Sequence, residues 1–150
     1  MAETKFDRIM VAFDGSGDSA KAVRVASELA AKFGSTVTVV HVFAPPILVY
    51  GSIAGVPMLN YSALDDAARV DAHKTLSRGV QMAKDNGTRA SGELLEAQST
   101  VQALVEFAAN EKTNLIVVGT RGMSGFKKLV MGSVSSGLVT HAGCPVLVVR

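Results

Sequence analysis

Cys144 is the chain's only cysteine, which excludes an internal disulfide framework and fits a reducing compartment, so a cytoplasmic location is expected. An excess of charge of either sign is lacking too, with Lys and Arg numbering 15 and Asp and Glu 13. The formal net charge is +2 over 150 residues, too small to make nucleic acid or an anionic membrane the main partner. The first residues, MAETKFDR, lack the apolar core of a signal peptide. No Lys, Arg, Asp or Glu occurs between Lys32 and Asp65, the one place where a membrane segment needs testing. A spanning helix takes about 20 continuous apolar residues. Here the first part is β-branched, and Pro45, Pro46, Gly51, Gly55 and Pro57 interrupt the rest. The segment reads as a strand followed by an apolar loop, with no stable membrane insertion. Internal repeats and low-complexity tracts are absent as well.

What remains is a globular composition, 48% hydrophobic and 19% charged, of a length that suits a single domain over residues 1–150. Arg8 to Phe13 is a short apolar run closed by Asp14-Gly15-Ser16, a strand and then a turn. Val23, Ala26, Ala30 and Phe33 form one helical stripe over Asp18 to Phe33, with Gly34 as its stop. Thr36 to Phe43 is the second strand, ended by Pro45-Pro46. Residues 44–62 read as a long loop, either a lid or a flexible insertion. Leu64, Ala68, Ala72, Leu76, Val80 and Ala83 mark a long helix, with Gly79 inside it at a cost of about 1 kcal/mol against alanine. Arg89 to Ala97 is read as an edge strand. Ser99-x-x-Gln102 matches a capping box ahead of Val101, Leu104, Val105 and Ala108. Leu115 to Val118 is a buried strand, Gly132 to His141 the last helix, and Pro145 to Val149 the last strand.

Strands alternating with helices imply a parallel sheet with right-handed crossovers, an open doubly wound α/β fold of five strands with helices on both faces. Ligands in such sheets sit beyond the carboxyl ends of the strands, where the winding direction reverses. The stretch from Asn114 to Val134 is built for that position. A buried strand ends at Gly119 and is followed by Gly122, Gly125, Arg121, Lys127 and Lys128, then by Gly132-Ser133 at a helix start. Glycines and a helix N-terminus together offer amides and a positive dipole end to an anion, a phosphate above all.

Several phosphate signatures can be tried on it. No segment supplies a Walker A loop. Gly15-x-Gly17-x-x-Ala20 fits the looser dinucleotide fingerprint, but the second strand ends in His41-Val42-Phe43-Ala44 with no carboxylate to hold a ribose. The other candidate is Gly119-x-x-Gly122, nine residues, then Gly132-Ser133. With MVAFDGS at 10–16, VVHV at 39–42 and the terminal GSVSSGLVTHAGCPVLVVR, that spacing resembles the ATP-binding type of the universal stress protein family over essentially the whole chain.

The resemblance implies a strand order of 3-2-1-4-5. It also implies a nucleoside pocket lined by Ala12, Asp14, Val42 and Val118, with Val42 against adenine. Gly119 and Gly122 would admit ribose and phosphates with Arg121 beside them, and Gly132, Ser133 and Val134 would bind phosphate. Many family members have proline where Ala12 stands. The implied ligand is ATP, or ADP or AMP, with Mg or Mn held through Asp14 and water. A regulatory or sensing role in stress response follows, with slow hydrolysis at most, together with a homodimer formed through the strand at 145–149.

Other roles stay open for several of these residues. Asp14 could cap the first helix, Ser133 the last one, and Arg121, Lys127 and Lys128 could be solvated charges. His41, His73 and His141 have no metal-cage spacing, and Cys144 reads as a small packed residue. No Ser–His–acid constellation or general base aimed at a γ-phosphate is evident. A true ATPase, a dinucleotide-dependent enzyme and a ligand-free interaction module whose apolar loop binds a partner are the alternatives.

Overall fold

The computed structural model describes residues 5–45, 58–120 and 131–150, the side chains of 58–62 excepted. Five strands and four helices alternate as β1 (Arg8–Ala12), α1 (Gly17–Phe33), β2 (Thr36–Phe43), α2 (Met58–Asp85), β3 (Ala90–Glu96), α3 (Thr100–Asn110), β4 (Leu115–Gly119), α4 (Ser133–His141) and β5 (Val146–Val149). The sheet is parallel throughout, in the order β3-β2-β1-β4-β5. Val11 pairs with Val39 on one side and Val117 on the other, so β1 is central and the winding reverses between β1 and β4. β3 is an edge strand, as its sequence suggests.

Alternation along the strands divides the core into two layers. Ile9, Val11, Val37, Val39 and Val117 face α1 and α2, packing with Val23, Ala26, Leu76 and Ala83. Met10, Val40, Ile116 and Val118 face α3 and α4, packing with Leu104, Ala108 and Leu138. All five residues of β4 are buried, as a strand covered on both faces requires. Cys144 is half-buried against the second layer, and burial pushes its thiol pKa up.

Several local expectations need correction. α2 begins at Met58, so the last five residues of the loop read at 44–62 are helical; residues 46–57 lie outside the described residues. The apolar stripe gave Leu64 as its first member, yet Leu64 is 56% exposed and marks no boundary. Phe33 is not a core residue: it is 41% exposed and packs edge-on against Phe6, with ring centroids 5.6 Å apart. The capping box at α3 is half formed. Ser99 Oγ accepts from Gln102 N–H (3.3 Å), while the Gln102 side chain donates to Glu106 (3.0 Å).

Two glycines are explained by what they touch. Gly34 ends α1 in the left-handed region (φ 69°), its N–H donating to the Ala30 carbonyl. A Cβ at Gly79 would lie 2.6 Å from the Phe13 ring, so this helical glycine lets α2 close onto the end of β1.

Candidate functional site

At the carboxyl edge of the sheet, across the β1–β4 switch point, the described walls enclose a cavity of about 240 Å³. Its residues come from distant parts of the chain. Ala12 and Asp14 follow from β1, Val40 and Val42 from β2, Val118 and Gly119 from β4, and Gly132, Ser133 and Val134 from the start of α4. Thr100 and Leu104, on the first turns of α3, close the remaining side. Every described member of the expected set, Ala12, Asp14, Val42, Val118, Gly119, Gly132, Ser133 and Val134, lines this one cavity. Arg121 and Gly122 lie outside the described residues, as do Gly125, Lys127 and Lys128.

The turn after β1 is held by its own side chains. Asp14 Oδ1 accepts from Ser16 N–H (2.9 Å), and Ser16 Oγ accepts from Ser19 N–H (3.2 Å). Ser19 Oγ donates to the Ser16 carbonyl (3.0 Å) and accepts from Asp14 N–H (3.4 Å). Ser16 is therefore the N-cap of α1, and the reading of Asp14 as that cap is corrected. Asp14 instead shapes the turn that precedes the helix. Within that turn Gly15 has φ 86°, and a Cβ there would sit 2.6 Å from Arg78 Nη2. Neither Gly15 nor Gly17 is among the residues lining the cavity, and Gly17 has open space around it. The dinucleotide fingerprint thus does not face the site.

On the opposite wall, Thr120 fastens the two ends of the glycine-rich stretch. Its carbonyl accepts from Gly132 N–H (2.6 Å) and Ser135 Oγ (3.1 Å), and its hydroxyl donates to Asp18 Oδ2 (2.9 Å). Thr120 N–H donates to the Val149 carbonyl (2.9 Å), tying the same point to β5. A Cβ at Gly119 would lie 2.7 Å from the carbonyl carbon of Asp18. The missing side chain at 119 is therefore required by the close approach of α1 to β4.

The start of α4 is of another kind. Its N-cap is Gly132, with no side-chain cap, so Ser133 is the first helical residue and not the cap once read there. The Gly132 carbonyl receives the first bond of the helix from Ser136 N–H (3.0 Å). The amides of residues 133–135 precede that bond, and the positive end of the helix dipole opens on the cavity with them.

Five polar lining residues were missed from sequence: Ser19, His41, Thr100, Thr120 and Ser135. Thr120 and Ser135 adjoin motif positions. The capping pattern at Ser99 could have found Thr100, because a helix following a parallel strand starts at the ligand-bearing edge. In the sequence, His41 has no metal-cage spacing with His73 or His141. Its Nδ1 lies 2.8 Å from the Phe13 carbonyl; since a carbonyl only accepts, Nδ1 carries the proton in the neutral ring. Among the described residues, no three His, Cys, Asp or Glu side chains come together to hold a metal. The arrangement combines an apolar slot with a donor-rich helix start, which suits a ligand with a flat apolar part and an anionic part.

A doubly wound α/β sheet with its cavity at the switch point defines the class. The model of the universal stress protein family matches residues 5–150, and the chain belongs to that family. It is 33% identical over 148 residues to a universal stress protein of Thermus aquaticus, covering 97% of this chain and 99% of the relative. To a universal stress protein of Bacillus subtilis it is 30% identical over 148 residues, with the same coverage of each. Among solved structures, the universal stress protein of Archaeoglobus fulgidus in complex with dAMP superposes with a TM-score of 0.73 at 25% identity, covering 97% of this chain and 98% of the other.

Proposed function

We propose that this cavity binds an adenine nucleotide, with ATP as the ligand and ADP and AMP as shorter versions of it. The observation that carries the reading is the convergence on one cavity of Ala12, Asp14, Val42, Val118, Gly119, Gly132, Ser133 and Val134, from segments far apart in sequence. The dAMP complex of the Archaeoglobus fulgidus relative supports it. The base would lie between Ala12, Val42 and Val118. Phosphates would meet the amides of residues 133–135 and the Ser133 hydroxyl at the start of α4, with Arg121 and Gly122 completing the phosphate side. Bound Mg²⁺ or Mn²⁺ would neutralise phosphate charge, taking one protein carboxylate, Asp14, and phosphate oxygens for the rest.

The role is regulatory or sensing, in stress response and in the cytoplasm, with hydrolysis slow at most. Among the described residues, no helix is long and apolar enough to cross a membrane. Residues 1–150 act as one nucleotide-binding domain, and two copies pair through β5. That strand is a sheet edge on which Leu147 is 37% exposed, and an apolar edge is a surface to be covered.

Thermal unfolding with and without ligand tests the binding reading. A ligand bound only by the folded state raises the melting temperature with concentration. Millimolar ATP is expected to raise it and NADH to leave it unchanged. An unchanged melting temperature with ATP would overturn the proposal.

A further inference from the structure

We propose that Thr100 reads the edge of the base, an assignment that rests on the adenine-nucleotide reading above and goes beyond its residue set. The cavity has two chemically different ends. At the α4 end stand Thr120, Gly132, Ser133 and Ser135, with the open helix start; at the β2–α3 end stand Val40, Val42 and Leu104. Phosphates belong at the donor-rich end and a flat base at the apolar one. Base-edge nitrogens that enter an apolar slot lose their water, so a polar group placed there decides which bases are accepted.

Thr100 is placed for that task. It is the first residue of α3, one turn before Leu104, and side chains four residues apart share a helix face. Leu104 is 1% exposed and packs with Val40 and Val118 beneath the cavity, so Thr100 stands over the same slot. Capping does not occupy its hydroxyl, because Ser99 Oγ takes the Gln102 amide. Among the described residues nothing hydrogen-bonds to it. A hydroxyl both donates and accepts, and can answer a ring nitrogen or an exocyclic amine.

The test is a calorimetric titration of the full chain and two variants, Thr100→Val and Thr100→Ser, with two probes. ATP is one. The other is indole riboside 5′-triphosphate, whose base keeps the flat apolar shape but offers its edge no donor or acceptor. Valine preserves the shape of threonine and leaves the Ser99 cap intact. Thr100→Val is expected to weaken ATP about threefold to tenfold, the effect of one lost neutral hydrogen bond, without weakening the indole analogue, while Thr100→Ser stays near wild type. Equal ATP affinity in Thr100→Val and wild type overturns the assignment, and so does an equal loss for both probes. Absence of ATP binding by the wild type overturns the functional reading itself, a result distinct from either.

Discussion

Helices α1 and α4 both begin at the carboxyl edge of the sheet, on either side of the β1–β4 switch point, and they begin in opposite ways. α1 satisfies itself: Ser16 caps it, Asp14 holds Ser16, and Ser19 bonds back to both. α4 starts at a glycine with no side-chain cap, its N–H bonded to the Thr120 carbonyl. Among the described residues, two helices with the same dipole direction thus differ in whether a side chain caps their first amides. A helix N-terminus offers an anion only what its own cap has left over. On the proposed reading, α1 is accordingly a wall of the site and α4 its anion-binding end.

Substitutions can break this contrast from either side. Ser133→Pro has the largest expected effect on binding. Proline is well tolerated at the first helical position, and Gly132 already has the extended backbone that precedes proline (φ −63°, ψ 167°). Folding should therefore survive while one amide and the hydroxyl are lost. A hydrogen bond to a charged group contributes about 1.5–3 kcal/mol, so ATP affinity should fall at least about tenfold by calorimetry, with the urea midpoint unchanged. Gly119→Ala acts the other way, on the fold. Its Cβ would press on the Asp18 backbone, costing about 1–3 kcal/mol of stability by urea unfolding.

Ser133→Ala removes only the hydroxyl and should cost less binding than Ser133→Pro, about 1.5 kcal/mol, the low end for a hydrogen bond to a charged group, with no change in unfolding. Ser16→Ala, which removes the cap of α1, should cost about 1 kcal/mol of stability and leave ATP affinity within about twofold, since that amide does not serve the ligand. Should Ser16→Ala weaken ATP as much as Ser133→Pro does, the distinction between the two helix starts fails.

Much of this was legible in the chain because it depends on local pattern. Apolar, β-branched runs mark β1, β2, β4 and β5, Gly34 and Ser99 mark helix ends, and Gly119 and Gly132-Ser133 of the spaced motif line the same cavity. What could not be read depends on approach between distant segments. Gly79 makes sense only once Phe13 lies against it, and the absence of a side chain at Gly119 only once Asp18 does. The two caps were misassigned for a related reason. Asp14, Ser16, Gly132 and Ser133 are all residue types that start helices, and only backbone geometry shows which one stands at the boundary. Thr100 sits inside the Ser99-x-x-Gln102 capping pattern, which marks a helix start, and only tertiary packing shows that this start reaches the cavity.

Titration of ATP into the wild type and into Ser133→Pro, side by side in one calorimeter, tests the central claim most directly. The expected result is one micromolar site per chain in the wild type and at least about tenfold weaker binding in the equally stable variant. No heat from ATP, ADP or AMP in the wild type, or equal affinity in both proteins, would contradict the account.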